Sequence, residues 1–283
     1  RAFLKVKEGC DHFCSYCVIP FLRGRSVSRP ADRTMDEARR LLDAGCREIV
    51  LTGIHLGVYG RDTGSSLAEL VRALSALPGL ERLRLGSLEP FALSDALLEA
   101  LGESPVFCPH LPLPLQSGDD GVLSRMRRGY TADDFAQVCS RARERLGDDL
   151  HISSDVLVGF PGEDESAFGN TLRLMRRAGI GRAHVFPYSP RRGTPAASFE
   201  GRVGPAALSA RAAEAAALGN ELLDAYAARF VGRTLPVLPE GGRCSGYTPH
   251  FLPAAWEGGA EVGRSVRLRI DSASGGELRG CPV

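Results

Sequence analysis

Short apolar runs alternate along the chain with longer segments whose apolar positions recur every three or four residues. The short runs predict β-strands, and the longer segments predict amphipathic helices that pack against them. Strands separated by helices are typical of βαβ units, in which right-handed crossovers join parallel strands. Such units predict an α/β sheet that curls into a partial barrel, with its chemistry at the carboxyl ends of the strands. The predicted strands are residues 3–6, 48–52, 80–85, 110–113, 151–158 and 183–186.

Capping residues mark the expected starts of the helices. Thr34 and Glu37 fit a capping box, and Gly45 predicts the end of that helix. Ser66 and Glu69 repeat the capping pattern one unit later. Further helices are predicted over residues 94–101, 131–146 and 164–178.

The pattern changes near residue 200. Residues 204–230 predict one long alanine-rich helix that leads out of the α/β part. We therefore expect an α/β domain over residues 1–219 and a small β domain over residues 220–283. The β domain is predicted from short segments rich in Gly and Pro at residues 234–238, 251–255 and 265–270.

Composition and charge fit a globular protein. Of the 283 residues, 43% are hydrophobic and 24% are charged, which allows a sizeable core. The 35 basic and 34 acidic side chains leave a net charge of +1, which neither favours nor excludes a nucleic-acid partner. No run approaches the roughly 18 apolar residues of a membrane span. The chain starts at Arg1 with no Met and no lead-in before the first predicted strand, so we expect a piece of a longer cytoplasmic protein.

Three of the eight cysteines are close together. Cys10, Cys14 and Cys17 follow the first predicted strand with the spacing C-x3-C-x2-C, whereas the next cysteine, Cys46, lies beyond a whole predicted helix. Three thiolates leave one iron of a [4Fe–4S] cubane without a protein ligand. Such an open iron can bind the amino and carboxylate groups of S-adenosylmethionine (SAM), which the reduced cluster can cleave to a radical. The alternatives are three buried thiols, or a zinc site with His12 as its fourth ligand, although this spacing is unusual for zinc.

This cysteine loop resembles the defining motif of the radical SAM superfamily. Tyr16, just before the third cysteine, is aromatic as the family prefers, which implies packing against the adenine of SAM. The resemblance extends to the methylthiotransferases, radical SAM enzymes that insert a methylthio group into tRNA or a ribosomal protein. It rests on segments that continue the cysteine loop or close a predicted strand, at residues 18–25, 51–57, 86–90, 113–118, 155–163 and 186–196.

One branch of the methylthiotransferases matches best. Thr-Gly-Ile-His-Leu-Gly at residues 52–57, and Pro-Tyr-Ser and Gly-Thr-Pro-Ala within residues 187–196, are closest to the branch acting on N6-threonylcarbamoyladenosine beside the tRNA anticodon, often called MtaB-type. Pro112 departs from the family, which has a histidine there. The resemblance implies an α/β fold: a partial (β/α)6 radical SAM barrel followed by a small all-β TRAM domain that binds RNA.

The resemblance also implies which residues hold the cofactors. Three cysteines would bind one [4Fe–4S] cluster, and no side chain is needed as a general base for hydrogen abstraction. Gly53 would let the backbone approach the SAM amino group, and Ser87 and Glu89 would meet polar groups of SAM or substrate. Taken singly, Asp155 also fits a buried polar residue, and residues 159–162 fit a plain turn. The expected SAM-binding residues are Tyr16, Gly53, Ser87, Glu89, Gln116 and Asp155.

RNA contact is expected from the β domain. Tyr247 or Phe251 would stack on bases, and the arginines of residues 266–269 would contact phosphates. The alternative is a plain β domain with surface arginines. The expected partners are the tRNA anticodon stem-loop and an electron donor such as flavodoxin or ferredoxin. Five arginines near the barrel mouth would attract RNA: Arg125, Arg127, Arg128, Arg191 and Arg192.

Methylthiotransferases carry three further cysteines upstream, for a second [4Fe–4S] cluster whose sulfur is inserted. We therefore expect this chain to bind one cluster and cleave SAM without completing methylthiolation. Two other functions stay open, a methylthiotransferase for an aspartate of a ribosomal protein and a non-catalytic RNA-binding protein with a structural cluster. The isolated cysteines do not fit a second cluster: Cys46, Cys108, Cys139, Cys244 and Cys281.

Overall fold

The computed structural model describes residues 1–241, 244–259 and 263–283. Its first part alternates strands and helices, as the apolar pattern predicts. Short 3-10 turns lie at Leu56–Val58, Pro90–Ala92 and Pro195–Ser198. The main elements are β1 (Ala2–Glu8), α1 (Ile19–Arg23), β2 (Val27–Ser28), α2 (Ala31–Asp43), β3 (Glu48–Gly53), α3 (Leu67–Ser75), β4 (Arg82–Leu85), α4 (Asp95–Glu103), β5 (His110–Pro112), α5 (Asp120–Met126), α6 (Ala132–Leu146), β6 (His151–Val158), α7 (Glu165–Arg177), β7 (Arg182–Pro187) and α8 (Pro205–Ala228).

The strands form two sheets that meet edge to edge. β1, β3 and β4 run parallel, with β2 antiparallel at the outer edge, and β5, β6 and β7 form a second parallel sheet. A bridge between Leu83 and Phe107, and a hydrogen bond of 2.9 Å from Leu88 N–H to the Pro112 carbonyl, join the two sheets. The predicted parallel α/β fold is confirmed. Among the described residues, strands β1 to β7 lie in two joined sheets rather than in one continuous sheet.

Capping explains where most helices begin. Ser66 and Thr131 each form a capping box with the acidic residue three positions later. The box predicted at Thr34 is wrong. α2 begins four residues earlier, with Pro30 rather than Thr34 at its N-cap, because the proline ring fixes φ before the first turn. The buried Thr34 hydroxyl instead donates to the Pro30 carbonyl at 3.0 Å.

The last part of the described chain forms a closed barrel of five short strands. The Cβ of any larger residue at Gly246 or Gly280 would lie 2.0 or 2.1 Å from a carbonyl of the neighbouring strand, so close pairing of the strands requires glycine at both positions. The expected boundary between residues 219 and 220 falls inside α8, and the domain division and the TRAM identity stay predictions. The strands are β8 (Thr234–Pro239), β9 (Ser245–Tyr247), β10 (Pro253–Trp256), β11 (Val266–Ser274) and β12 (Glu277–Pro282), in the order β10-β12-β11-β8-β9.

Two buried arginines on β4 attach this barrel to the α/β part. Arg84 donates to Glu48 at 2.9 Å and to the carbonyls of Thr248 and Pro249, both at 2.7 Å. Arg82 donates to the carbonyls of Pro236 at 3.0 Å and Tyr247 at 2.6 Å. A buried guanidinium is tolerated only when its donors are paired, so these bonds fix where the barrel sits. The barrel therefore covers the amino ends of the strands.

Aromatic rings fill the same contact. Phe251, at a φ of 62°, stacks on His110 with ring centroids 4.9 Å apart and on Tyr247 at the same separation. The side chain of Arg1 lies over the Tyr247 ring at 4.9 Å. The Tyr247 and Phe251 rings stack on partners within the chain and stay half-exposed, and their stacking on RNA stays a prediction. Within residues 1–241, 244–259 and 263–283, no helix is both long and apolar enough to cross a membrane.

Candidate active site

The cysteine loop begins where β1 ends. Gly9 has a φ of 69°, and a Cβ there would lie 1.8 Å from the Arg25 carbonyl, so the loop requires glycine at its entrance. Cys10 N–H then donates to the Gly24 carbonyl at 3.1 Å. Further on, Ser15 is held by its N–H and its hydroxyl, which donate to backbone carbonyls of residues 126 and 125 at 3.0 and 2.7 Å. The loop is therefore fixed on both sides of the three thiols.

The environments of the three thiols differ. Cys14 is buried, whereas Cys10 and Cys17 are half-buried. The Sγ of Cys10 accepts the His12 N–H at 3.3 Å and lies 3.8 Å from Nδ1 of His55. Burial lowers the pKa of His55 to about 4, so this imidazole is neutral near pH 7.

Electrostatics couple the three thiols. Burial raises the pKa of Cys10 and of Cys17, and the negative charge of Cys14 raises both further. Burial also acts to raise the pKa of Cys14, but the His12 imidazole and the Arg128 charge outweigh it, and the net pKa is lowered. Thiols that oppose one another's ionisation are a donor set suited to a cationic metal centre, which removes their protons. In the described part of the chain, no three His, Cys, Asp or Glu side chains are close enough to share one metal ion.

Arg128 is the best-connected side chain of the site. Only 2% of it is exposed. Its guanidinium donates to Cys14 Sγ at 3.3 Å, to the Tyr16 hydroxyl at 3.4 Å and to the Tyr130 hydroxyl at 3.1 Å, and it forms an ion pair with the Glu89 carboxylate. The prediction that Arg128 belongs to an exposed RNA-attracting group is therefore wrong. The other four arginines of that group are exposed: Arg125, Arg127, Arg191 and Arg192.

Of the residues expected to bind SAM, Tyr16 and Glu89 contact Arg128 directly. Tyr16 packs edge to face on Phe160, with ring centroids 6.3 Å apart, and burial raises the pKa of its hydroxyl. Gln116 has a φ of 64°, and its N–H donates to the Asp155 carbonyl at 2.8 Å. A Cβ at Gly53 would lie 2.7 Å from the Lys7 Cβ, so close strand packing by itself requires this glycine.

A cavity of about 390 Å³ runs between the two sheets below these residues. Ser87 and Asp155 line it, and Phe251 lies at its amino end. His184 also lines it, opposite Asp155 in the register of β6 and β7, and sequence reasoning missed this residue. Burial raises the pKa of Asp155. Because His184 pairs with Asp155 in the register, the two side chains lie on the same face of the sheet. The position of His184 in the predicted strand of residues 183–186 was the sequence signal that could have identified it.

The fold and the loop together define an α/β barrel with a three-thiol site at the carboxyl end of its first strand. The family model described as the radical SAM superfamily matches residues 4–175, and the chain belongs to that superfamily. Solved structures agree at the level of fold. The methyltransferase TsrM from Kitasatospora setae, with cobalamin and a [4Fe–4S] cluster bound, gives a TM-score of 0.59 at 20% identity, covering 69% of this chain and 38% of its own. Coproporphyrinogen III oxidase from Escherichia coli gives 0.56 at 16% identity, covering 78% and 52%.

Curated relatives are more similar in sequence. A threonylcarbamoyladenosine tRNA methylthiotransferase MtaB from Bacillus subtilis is 37% identical over 281 residues, 95% of this chain and 62% of its own length. The protein of that name from Thermotoga maritima is 37% identical over 97% of this chain and 64% of its own. A tRNA-2-methylthio-N(6)-dimethylallyladenosine synthase from Cereibacter sphaeroides is 43% identical over 99% and 65%. The chain thus spans slightly less than two thirds of these relatives.

Proposed function

We propose that this chain is the radical SAM part of a methylthiotransferase acting on C2 of N6-threonylcarbamoyladenosine next to the tRNA anticodon. The observation that carries the proposal is the similarity of nearly the whole chain to two proteins named for that activity. The position of the three cysteines in the loop that follows β1 supports it, because barrels of this kind carry their chemistry at the carboxyl ends of their strands.

Cys10, Cys14 and Cys17 would hold one [4Fe–4S] cluster with an iron left open for SAM. The bound cluster and SAM would supply radical chemistry for hydrogen abstraction from the substrate base. The chain's own residues would orient SAM and shield it from water. Tyr16 would cover the adenine of SAM, and Phe160 behind it keeps that side of the pocket dry.

The remaining expected SAM-binding residues belong to the same proposal. Gly53 and Gln116 would present backbone groups to SAM, and Glu89 would meet its polar end. Ser87 and Asp155 lie at the boundary with the cavity, where they can also contact the substrate base.

In this proposal, the polar groups of the cavity meet a polar substituent on the substrate base. Ser87 and His184 offer hydrogen-bonding groups, which a threonylcarbamoyl group can use and a purely hydrocarbon dimethylallyl group cannot. The second candidate substrate is N6-dimethylallyladenosine, favoured by the 43% identity to a synthase that names it. The apolar residues Phe3 and Val50 in the same cavity suit that alternative.

Three further elements complete the proposal. The match covers 62% and 64% of the two relatives, and we place the second, sulfur-carrying cluster in the part of such proteins outside this match. The five-stranded barrel would act as a TRAM domain on the tRNA anticodon stem-loop. Arg267, Arg269 and Arg279, all exposed on β11 and β12, would contact phosphates. A flavodoxin or ferredoxin in the cytoplasm would supply the electron.

Iron analysis tests the cofactor half of the proposal. After anaerobic reconstitution we expect about four irons and four acid-labile sulfides per chain, and release of 5′-deoxyadenosine from SAM under dithionite. Cys14→Ala should lose both. Cys281→Ala is the matched control, because that cysteine is exposed and distant in sequence from the loop, and it should keep both. Iron near zero, or iron unchanged by Cys14→Ala, would contradict the proposal.

A tRNA assay tests the substrate half. Transcripts carrying threonylcarbamoyladenosine should increase 5′-deoxyadenosine release more than transcripts carrying dimethylallyladenosine, because only the first substituent can hydrogen-bond with Ser87 and His184. The opposite order would support the second candidate. This chain alone should form no methylthiolated nucleoside, and detecting that product would show that a second cluster domain is not required.

A further inference from the structure

The backbone around Arg128 is built to hold its side chain in one place. Arg127 ends α5 in the left-handed conformation, with a φ of 59°, and Gly129 follows with a φ of 71°. Between them, Arg128 N–H donates to the Leu123 carbonyl at 3.0 Å. Two left-handed residues turn the chain sharply on either side and direct Arg128 inward, whereas Arg127 stays exposed.

The neighbours of Arg128 are fixed as well. The Tyr130 hydroxyl, which accepts from Arg128 Nε, donates to the carbonyls of Pro114 and Leu115, both at 3.0 Å. The guanidinium is therefore held from one side by Tyr130 and from the other by the Glu89 carboxylate. A planar guanidinium suits such simultaneous contacts, and a lysine ammonium does not.

The position of Arg128 between two anions has an electrostatic consequence. One of its Nη atoms lies 3.3 Å from Cys14 Sγ and 3.4 Å from Glu89 Oε1. A buried cation stabilises negative charge at both neighbours, and the surrounding protein screens this effect less than water does. The potential of an iron–sulfur cluster depends on net charge, burial and hydrogen bonds to the sulfurs.

We propose that Arg128 is a positioning residue that raises the reduction potential of the cluster held by Cys10, Cys14 and Cys17, and that Glu89 opposes it. The inference rests on the proposed function, since it needs a bound cluster. Reduction adds one electron, taken from an external low-potential reductant, to the oxidised cluster and makes it more negative. The N–H···S contact and the positive charge favour that reduced state, whereas the Glu89 carboxylate disfavours it.

The test is a redox titration of the reconstituted chain without SAM, with dithionite as reductant and electron paramagnetic resonance as readout. Arg128→Met should shift the midpoint potential to more negative values, because the cation and its hydrogen bond to Cys14 are lost. Glu89→Gln should shift it to more positive values, because it removes a negative charge while keeping shape. Arg127→Met is the control, since it removes the same charge from an exposed neighbour, and its midpoint should match that of the unmodified chain.

The opposite signs separate electrostatic tuning from a general structural role. An unchanged midpoint in Arg128→Met at full iron content would overturn the inference, and so would shifts of the same sign in the two variants. Where Arg128→Met fails to fold or to assemble its cluster, Glu89→Gln decides alone, and the absence of a positive shift overturns the inference. An unmodified chain that assembles no cluster contradicts the proposed function itself, which iron analysis detects before any titration.

Discussion

Acid should weaken the contact between the five-stranded barrel and the α/β part, and His151 shows by how much. This residue is fully buried at the start of β6, and its Nδ1 lies 2.6 Å from the His250 carbonyl. Its ring stacks on Tyr226 with centroids 4.4 Å apart. In the described residues its Nε2 is buried without a hydrogen-bond partner of ordinary geometry, so a second proton would place a positive charge away from water.

The sign and size follow from its pKa. Burial lowers the pKa of His151 from an ordinary 6.5 to about 4 in the folded chain. Between these values the unfolded chain binds a proton that the folded chain does not, so stability is complete above pH 6.5 and is lost as the pH falls toward 4. The full loss is about 3 kcal/mol, of which about 2 kcal/mol is already lost near pH 5. His250, whose burial also lowers its pKa to about 4, acts in the same direction.

Urea unfolding at about pH 7.5 and about pH 5 measures this loss. His151→Asn keeps a neutral donor for the His250 carbonyl but cannot titrate, so it should be about 2 kcal/mol less sensitive to the pH change. His184→Asn is the matched control, because this histidine is exposed and its replacement should leave the sensitivity unchanged. Equal stability of the unmodified chain at both pH values, or an undiminished loss in His151→Asn, would refute the reasoning.

Three further substitutions test separate parts of the fold by urea unfolding. Arg84→Met should cost about 3–5 kcal/mol, because it leaves two carbonyls without their donor and removes the shortest ion pair of buried Glu48, which is left with Arg82 at 3.5 Å and Arg1 at 3.7 Å; a cost below about 1 kcal/mol would mean that Arg84 does not hold the barrel in place. Gly53→Ala should cost about 1–3 kcal/mol, because its Cβ would lie 2.7 Å from the Cβ of Lys7; an unchanged midpoint would show that β1 and β3 separate easily. Ser66→Ala should cost about 1 kcal/mol through loss of the capping box of α3, and Ser66→Gly should cost less.

The parallel strands could be predicted because their signal is local. Buried strands of such sheets contain near-continuous apolar runs, such as Ile-Val-Leu in the strand that we predict over residues 48–52 and that the structure has over Glu48–Gly53. The strands β9 and β12 could not be predicted in this way. These strands contain Gly246 and Gly280, and glycine weakens the apolar pattern by which a strand is recognised. The reason for glycine there is visible only in the fold, where a Cβ would lie 2.0–2.1 Å from a carbonyl of the neighbouring strand.

The candidate site shows a similar limit. The spacing of Cys10, Cys14 and Cys17 carries its own chemistry, so the sequence sufficed to propose it. The five arginines expected near the barrel mouth are the same residue type with the same expected location. Nothing in the adjacent sequence distinguishes Arg128 from Arg127. The difference arises from the left-handed residues Arg127 and Gly129 on either side of Arg128 and from partners 39 and 114 residues away along the chain. Such partners become visible only when the fold brings β4 and the cysteine loop together.

The two ends of the α/β barrel use buried arginines for different purposes. At the amino end, Arg82 and Arg84 bond mainly to backbone carbonyls, which carry no charge that changes and therefore make a permanent attachment. At the carboxyl end, Arg128 faces a thiol and a carboxylate, whose charges respond to protons, metal and electrons. A buried cation among fixed dipoles stabilises a fold, whereas a buried cation among variable charges changes the energy of their reactions. Substitutions at the amino end should therefore alter stability first, and those at the carboxyl end should alter cluster chemistry first.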